Sequence, residues 1–211
     1  MDFDMNLDWN QVMMETKLGE PTLRVLQNRV DWSIVSKYQT LRETFISDFK
    51  DKVDWKLICQ YQVLSEPFMQ RHADYLDWGK ISEHQTISEA FILKYANKID
   101  WKKVSQYQKL SASFIQENHD RLDMKLVSRH QELTMAVIEM LKDILDMPTI
   151  FRYQELSERF VLENISALEG ENLCQIVVLN ENLPQNVINM VFRRWVLHYL
   201  REICQKLSNI V

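Results

Sequence analysis

The sequence predicts an all-α solenoid of about seven to eight two-helix repeats of 23 residues, with a longer C-terminal capping helix. The first observation is a series of tryptophans at positions 9, 32, 55, 78 and 101, continued by methionines at 124 and 147. The second is that an aspartate precedes every member of this series, and a glutamine stands seven residues after six of them. Such self-similarity at a fixed period of roughly 20–50 residues is typical of repeat architectures.

The spacing within a repeat predicts two short helices of about ten residues each. If the tryptophan is position 0, an aliphatic residue stands at +3, a small residue at +4, Tyr or His at +6 and Gln at +7. These positions share one side of a helix, and +1, +2 and +5 share the other. The preceding aspartate is the predicted N-cap. A second helix is predicted to begin after the caps Ser65, Ser88, Ser111, Thr134 and Ser157.

The repeats begin near residues 7, 30, 53, 76, 99, 122 and 145, so we expect the repeat array to occupy residues 1–168. Residues 169–211 are predicted to hold a degenerate eighth repeat, with NLPQNVI at 182–188, and the capping helix. One side of that helix is predicted to carry Val191, Trp195, Leu200, Ile203 and Leu207. Helices this short are marginal alone, so stacking of neighbouring repeats must stabilise them.

Composition favours a soluble intracellular protein. The formal net charge of −5 argues against a dedicated nucleic-acid binder. The three cysteines are far apart, which indicates reduced thiols and a cytoplasmic location. The N-terminus lacks a signal-peptide pattern, and no apolar run approaches the roughly 20 residues needed to cross a bilayer. We therefore expect no membrane association.

Catalytic, cofactor and metal motifs are not found in the sequence. Gly19, Gly79 and Gly170 are too dispersed to form a phosphate-binding loop, and HExxH, CxxC and GxSxG do not occur. His84 and His130 occupy the +6 position that is tyrosine in other repeats, which favours a structural replacement over a metal ligand. We expect a protein that is not an enzyme and that holds neither cofactor nor metal.

The repeated glutamine has two interpretations. It could contact a periodic ligand, as helical repeats do when each binds one RNA base. It could instead form a structural ladder by bonding to backbone groups that short helices leave open. Because residues that specify a sequence should vary between repeats, the constant glutamine favours the ladder. Its members are Gln39, Gln62, Gln85, Gln108, Gln131 and Gln154.

The opposite side of the first helices is basic. At positions +1, +2 and +5 of the second to seventh repeats, eight basic residues stand against Glu83 alone, a formal charge of +7. This face is either an ordinary solvated surface or a docking surface for an acidic partner, either a protein or a nucleic-acid backbone. The candidate residues are Lys37, Lys56, Lys80, Lys102, Lys103, Lys125, Arg129 and Arg152.

The unit DWxx(I/V)SxYQxLSExFI resembles short helical repeats, marked by tryptophan and glutamine, of uncharacterised proteins from large DNA viruses and phages. The resemblance covers about residues 7–167. It implies a virus-encoded helical repeat protein of the host cytoplasm or the virion, and it implies no activity. We therefore expect a protein–protein interaction module or scaffold with an acidic protein partner. Nucleic-acid binding through the basic face is the alternative, and the sequence leaves the oligomeric state open.

Overall fold

The computed structural model describes residues 7–164, 180, 183 and 185–208, and all regular secondary structure among them is helical. The first helices of the seven repeats are α1 (Trp9–Glu15), α3 (Trp32–Tyr38), α5 (Trp55–Tyr61), α7 (Trp78–His84), α9 (Trp101–Tyr107), α11 (Met124–His130) and α13 (Met147–Tyr153). The second helices are α2 (Glu20–Leu26), α4 (Glu43–Asp48), α6 (Glu66–Arg71), α8 (Glu89–Lys94), α10 (Ala112–Glu117), α12 (Met135–Leu141) and α14 (Glu158–Asn164). A longer helix, α15, spans Gln185–Ser208.

The chain forms two compact units, residues 1–108 and 109–211. In the first, α1, α3, α5, α7 and α9 pack each against the next. In the second, α11 packs on α13, α10 on α12 and α14 on α15. Packing between neighbours along the chain confirms the predicted all-α solenoid. The predicted boundary after residue 168 lies outside the described residues.

Aspartate caps begin the first helices, as predicted. The side chains of Asp8, Asp31, Asp54, Asp77, Asp100 and Asp123 accept hydrogen bonds from backbone N–H groups of the first turn. Asp146 differs, since its Oδ2 accepts from the Thr149 hydroxyl over 2.6 Å and caps no backbone group. Five hydroxyl caps begin second helices, at Ser65, Ser88, Ser111, Thr134 and Ser157.

The helices are shorter than the predicted ten residues, with six or seven residues in each of α1 to α14. The first helix of the second to seventh repeats ends one residue before the glutamine, which has an extended backbone, as at Gln85 with φ −95° and ψ 147°. The prediction that Gln continues the helical side was therefore wrong. The chain must turn at this residue, because the second helix begins only four residues later.

In the second to fifth and the seventh repeats, the core combines the +3 aliphatic residue with an aromatic and a further apolar residue of the second helix. In the fourth repeat these are Ile81, Phe91 and Ile92, all buried. Trp78 is only half-buried. Its indole stacks on Phe91 at 6.1 Å and on Tyr95 at 4.6 Å, and its Nε1 donates to the Ala73 carbonyl over 3.2 Å. The tryptophan column therefore packs at the edge of the core.

The C-terminal helix buries Val187 and Val191, which stand four residues apart on one side. Leu200 is 51% exposed, so its predicted place beside Val191 was wrong. Nine residues at 100° each bring Leu200 half a turn away from Val191. The side chains of Trp195, Ile203 and Leu207 lie outside the described residues. None of the described helices has the length and apolar composition needed to cross a bilayer.

Candidate interaction surface

Each glutamine of the column is buried and bonds to the repeat before it. Gln85 Nε2 donates to the carbonyl oxygens of Cys59 at 2.8 Å and Gln62 at 2.7 Å. Its Oε1 accepts from the Leu64 backbone N–H at 3.0 Å. One amide group thus pairs with two carbonyls at a helix end and one N–H in the following turn.

The same three bonds recur in both units, at Gln39, Gln62, Gln108 and Gln154. Gln131 Oε1 accepts from the Leu110 N–H at 3.1 Å. Asn180 occupies the next place in the column, because its Nδ2 donates to the carbonyls of Phe151 at 2.7 Å and Gln154 at 3.0 Å. Sequence analysis missed Asn180, which stands 26 residues after Gln154 and carries a shorter amide.

The small residue at +4 forms a second connection between repeats. Ser82 Oγ donates to the Trp78 carbonyl at 2.7 Å and accepts from the Asp100 N–H at 3.1 Å. Ser36 and Ser128 accept in the same way from the cap residues Asp54 and Asp146. These serines are fully buried, so the hydroxyl at +4 fixes the start of the following helix.

Glutamates in the first turn of the second helices form a third connection between repeats. Glu43 Oε1 accepts from the Ser65 backbone N–H, and Glu66 Oε1 from that of Ser88, both over 2.6 Å. Glu20 bonds the Arg42 N–H and guanidinium, and this contact lowers the pKa of Glu20. The sequence held a signal for this connection, because Glu20, Glu43 and Glu66 recur with the period of 23 residues.

The basic face divides by exposure. Five of its eight members are exposed, namely Lys56, Lys102, Lys125, Arg129 and Arg152, and three are half-buried, namely Lys37, Lys80 and Lys103. Five members of the basic face, from Lys37 to Lys103, belong to the first unit. Lys125, Arg129 and Arg152 belong to the second unit.

One member of the face is neutralised by its own chain. Lys103 Nζ donates to Glu83 Oε2 over 2.8 Å and to the Gly79 carbonyl over 3.2 Å. The hydrogen bond between Lys103 and Glu83 raises the pKa of Lys103 and lowers that of Glu83. By contrast, Lys56, Lys102 and Lys125 form no ion pair within the described residues. The accessible positive charge is therefore carried mainly by the +1 lysines and the two arginines.

The +5 cations lie over tyrosine rings of the +6 column. Lys37 Nζ is 4.8 Å from the ring centroid of Tyr38 and 5.5 Å from that of Tyr61, and the contact with Tyr38 raises the pKa of Lys37. The guanidinium carbons of Arg129 and Arg152 lie 4.6 and 5.2 Å from the ring centroid of Tyr153. Cation–aromatic contacts therefore occur at the +5 position in each of the two units.

A serine–histidine pair is the nearest approach to a catalytic group. Ser47 Oγ lies 3.0 Å from His72 Nε2, and the His72 ring packs against Phe68 at 4.5 Å and Trp55 at 5.4 Å. Nucleophilic catalysis also requires a group that orients the base and donors for an oxyanion, and no such groups accompany this pair in the described residues. His72 fills the place of Phe49 and Tyr95, so its role is packing.

The described residues hold no group of three His, Cys, Asp or Glu side chains that could bind a metal ion. A surface groove of about 530 Å³ lies in the second unit, between the turn at 132–135 and the turn at 154–157. Its walls carry Glu132, Thr134, Glu155 and Ser157, which include neither a histidine nor a cysteine.

Comparison of the chain with protein-family models, curated proteins and solved structures finds no match.

Proposed function

We propose that this protein is a non-enzymatic interaction module or scaffold, whose first helices bind a protein partner with an acidic surface. The observation that carries the proposal is the set of exposed lysines at the +1 position, Lys56, Lys102 and Lys125. They project from first helices at the same position and form no ion pair within the described residues.

The glutamine, serine and glutamate columns support this proposal by explaining the other repeated polar residues. Glutamine, serine and glutamate side chains are used to join repeats, as the bonds of Gln85, Ser82 and Glu66 show. Among the basic residues of the first helices, Lys103 bonds to the preceding repeat, whereas Lys56, Lys102 and Lys125 form no ion pair within the described residues. Side chains that the fold does not use remain accessible to a partner, and complementary charge accelerates association and favours acidic surfaces.

Charge reversal tests the proposal. The variant Lys56→Glu, Lys102→Glu, Lys125→Glu should lose capture of the partner from the native cell after chemical cross-linking. The matched control reverses three exposed lysines outside the first helices, Lys50, Lys109 and Lys142, with the same change in net charge. Circular dichroism should show equal helicity in both variants. Equal capture by both variants would show that the face is an ordinary solvated surface.

Nucleic acid is the second candidate, favoured by exposed aromatic rings on the first helices. Tyr61 and Tyr107 are 46% and 50% exposed, and bases stack on such rings in single-strand binding proteins. A salt titration with single-stranded DNA and RNA separates the candidates, because phosphate contacts weaken steeply as salt increases. Absence of binding at low salt would remove nucleic acid as a candidate.

A further inference from the structure

The +5 position of the first helices changes character along the array. It is Lys37, Gln60, Glu83, Gln106, Arg129 and Arg152 from the second to the seventh repeat. Only the sixth and seventh repeats place two cations in succession. Glutamine or glutamate occupies the three repeats before them, so the repeat fold does not require a cation at this position.

The two arginines meet at one tyrosine. Their guanidinium carbons lie 4.6 and 5.2 Å from the ring centroid of Tyr153. Two positive charges that share one ring are within about 10 Å of each other, the Debye length at 0.1 M salt, so they repel. Neither arginine forms an ion pair in the part of the chain that the structure describes. An anion bound between them would relieve this repulsion.

We propose that Arg129, Arg152 and Tyr153 form a binding site for the phosphoryl group of a phosphorylated side chain on the partner protein. This inference rests on the proposed function and names a specific contact within it. Cation–π stacking holds both guanidinium groups in place before the ligand arrives, which lowers the entropic cost of binding.

The number and kind of donors favour phosphate over carboxylate. Each guanidinium is a planar fork that can donate two parallel bonds, and one fork is sufficient for a carboxylate. A phosphoryl group on Ser, Thr or Tyr carries about −1.5 to −2 charge and three acceptor oxygens, which match two forks.

The neighbouring charges favour a compact ligand over a polynucleotide. Glu132 and Glu155 are exposed and follow Arg129 and Arg152 by three residues each, whereas the same position is Thr40, Val63, Thr86 and Lys109 in the four preceding repeats. An extended chain of phosphates would have to pass these carboxylates.

The test uses the full chain labelled with ¹⁵N-arginine and follows the side-chain Nε–Hε signals during titration with O-phosphoserine. Arg129→Gln and Arg152→Gln assign the two signals, and both place at +5 the residue that the array already has at Gln60 and Gln106. We expect saturable shifts of both signals, weaker shifts with acetate, and about tenfold weaker binding in either variant. The matched control, Lys37→Gln, removes a +5 cation from the first unit and should leave the affinity unchanged.

Several results would overturn the site: equal affinity for acetate and phosphoserine, no saturable shift, or unchanged binding in both arginine variants. Titration with a single-stranded oligonucleotide adds a further outcome. If Lys37→Gln and the arginine variants weaken that binding equally, the contacts are to a nucleic-acid backbone and the proposal fails. The variant Lys56→Glu, Lys102→Glu changes only first helices of the first unit and leaves this site intact. Loss of partner capture in that variant, together with absence of a phosphoserine site, would retain the proposed function alone.

Discussion

The side-chain amide of Gln85 donates to the carbonyl oxygen of Gln62, its counterpart one repeat earlier, over 2.7 Å. Gln62 does the same to Gln39 at 2.8 Å, and Gln154 to Gln131 at 2.9 Å. Each bond joins a side chain to the main chain of the preceding repeat at the point where a short helix ends. The column therefore supplies partners for backbone groups that the end of a seven-residue helix leaves open.

Replacing Gln85 with leucine should destabilise the protein. The change leaves the buried Leu64 N–H and the Cys59 and Gln62 carbonyls without their partner. Each buried group left unpaired costs about 1–3 kcal/mol, so we expect the free energy of unfolding to fall by roughly 3 kcal/mol or more. Urea denaturation measures the loss. Gln116→Leu, at an exposed site on α10, is the control and should change stability little. Equal stability of the two variants would contradict a structural role for Gln85.

Cys59 offers a test of the serine column. It stands where other repeats have serine, it is fully buried, and burial raises the pKa of its thiol to about 11. The Asp77 backbone N–H bonds this sulfur, which is a weak acceptor. In Cys59→Ser a hydroxyl would replace the thiol and accept this bond, as the Ser82 hydroxyl accepts from the Asp100 N–H. We therefore expect the free energy of unfolding to rise by about 0.5–1 kcal/mol.

The reverse substitution is the matched comparison for Cys59→Ser. Ser82→Cys should lower the melting temperature, because it weakens the bonds to Asp100 and Trp78. Calorimetry of both variants gives the sign of each change. If both substitutions shift the melting temperature in the same direction, the hydroxyl is not the cause.

The fold and the glutamine column were largely predictable from the sequence, because a period of 23 residues repeats each weak local signal. The aspartate before each tryptophan and the serine before the second helix predicted N-caps. The structure contains these caps, for example at Asp77 and Ser88. Helix length was not predictable in this way. The +7 position fits the helical period, so the sequence alone extends the helix through Gln85. In the structure the helix ends one residue earlier, because the chain turns at Gln85 and its side chain bonds to the preceding repeat.

The basic face was only partly predictable. Charged residues can be counted in a sequence, but the ion pairs that neutralise them depend on the three-dimensional packing. Lys103 and Glu83 stand 20 residues apart, and nothing local indicates that they form an ion pair. The convergence of Arg129 and Arg152 on Tyr153 also depends on how adjacent repeats stack. Asn180 was missed because its place in the column shifts by three residues from the period.

Met135→Glu should stabilise the second unit. Glu43 and Glu66 accept from the backbone N–H of Ser65 and Ser88 in the following repeat. Met135 holds the equivalent place opposite Ser157, and its side chain cannot accept that bond with comparable strength. We expect a gain of about 0.5–1.5 kcal/mol in urea denaturation. Met135→Leu, which keeps an apolar side chain, should show no gain, and a gain of equal size there would exclude the hydrogen bond as its source.

His72→Phe should reduce the loss of stability at mildly acidic pH. Burial among Phe68 and Trp55 lowers the pKa of His72 below its ordinary value of 6.5, with the Arg71 and Lys50 charges acting in the same direction and Glu43 opposing them. Between the lowered pKa and 6.5 the unfolded chain binds more protons than the folded protein. The free energy of unfolding therefore falls as pH decreases through this range.

Phenylalanine is the residue that the second repeat has at this place, Phe49, so His72→Phe keeps an aromatic ring there. The substitution removes the proton-binding group and its hydrogen bond with Ser47 Oγ. The wild-type melting temperature should fall between pH 7.5 and pH 5.5 by more than that of the variant. The range stays above the lowered pKa values of Glu20 and Glu83, so protonation of those carboxylates contributes little. His130→Tyr, which restores the +6 tyrosine at an exposed site, is the control and should keep the wild-type slope. An equal slope in His72→Phe and the wild type would show that burial of His72 does not set the acid sensitivity.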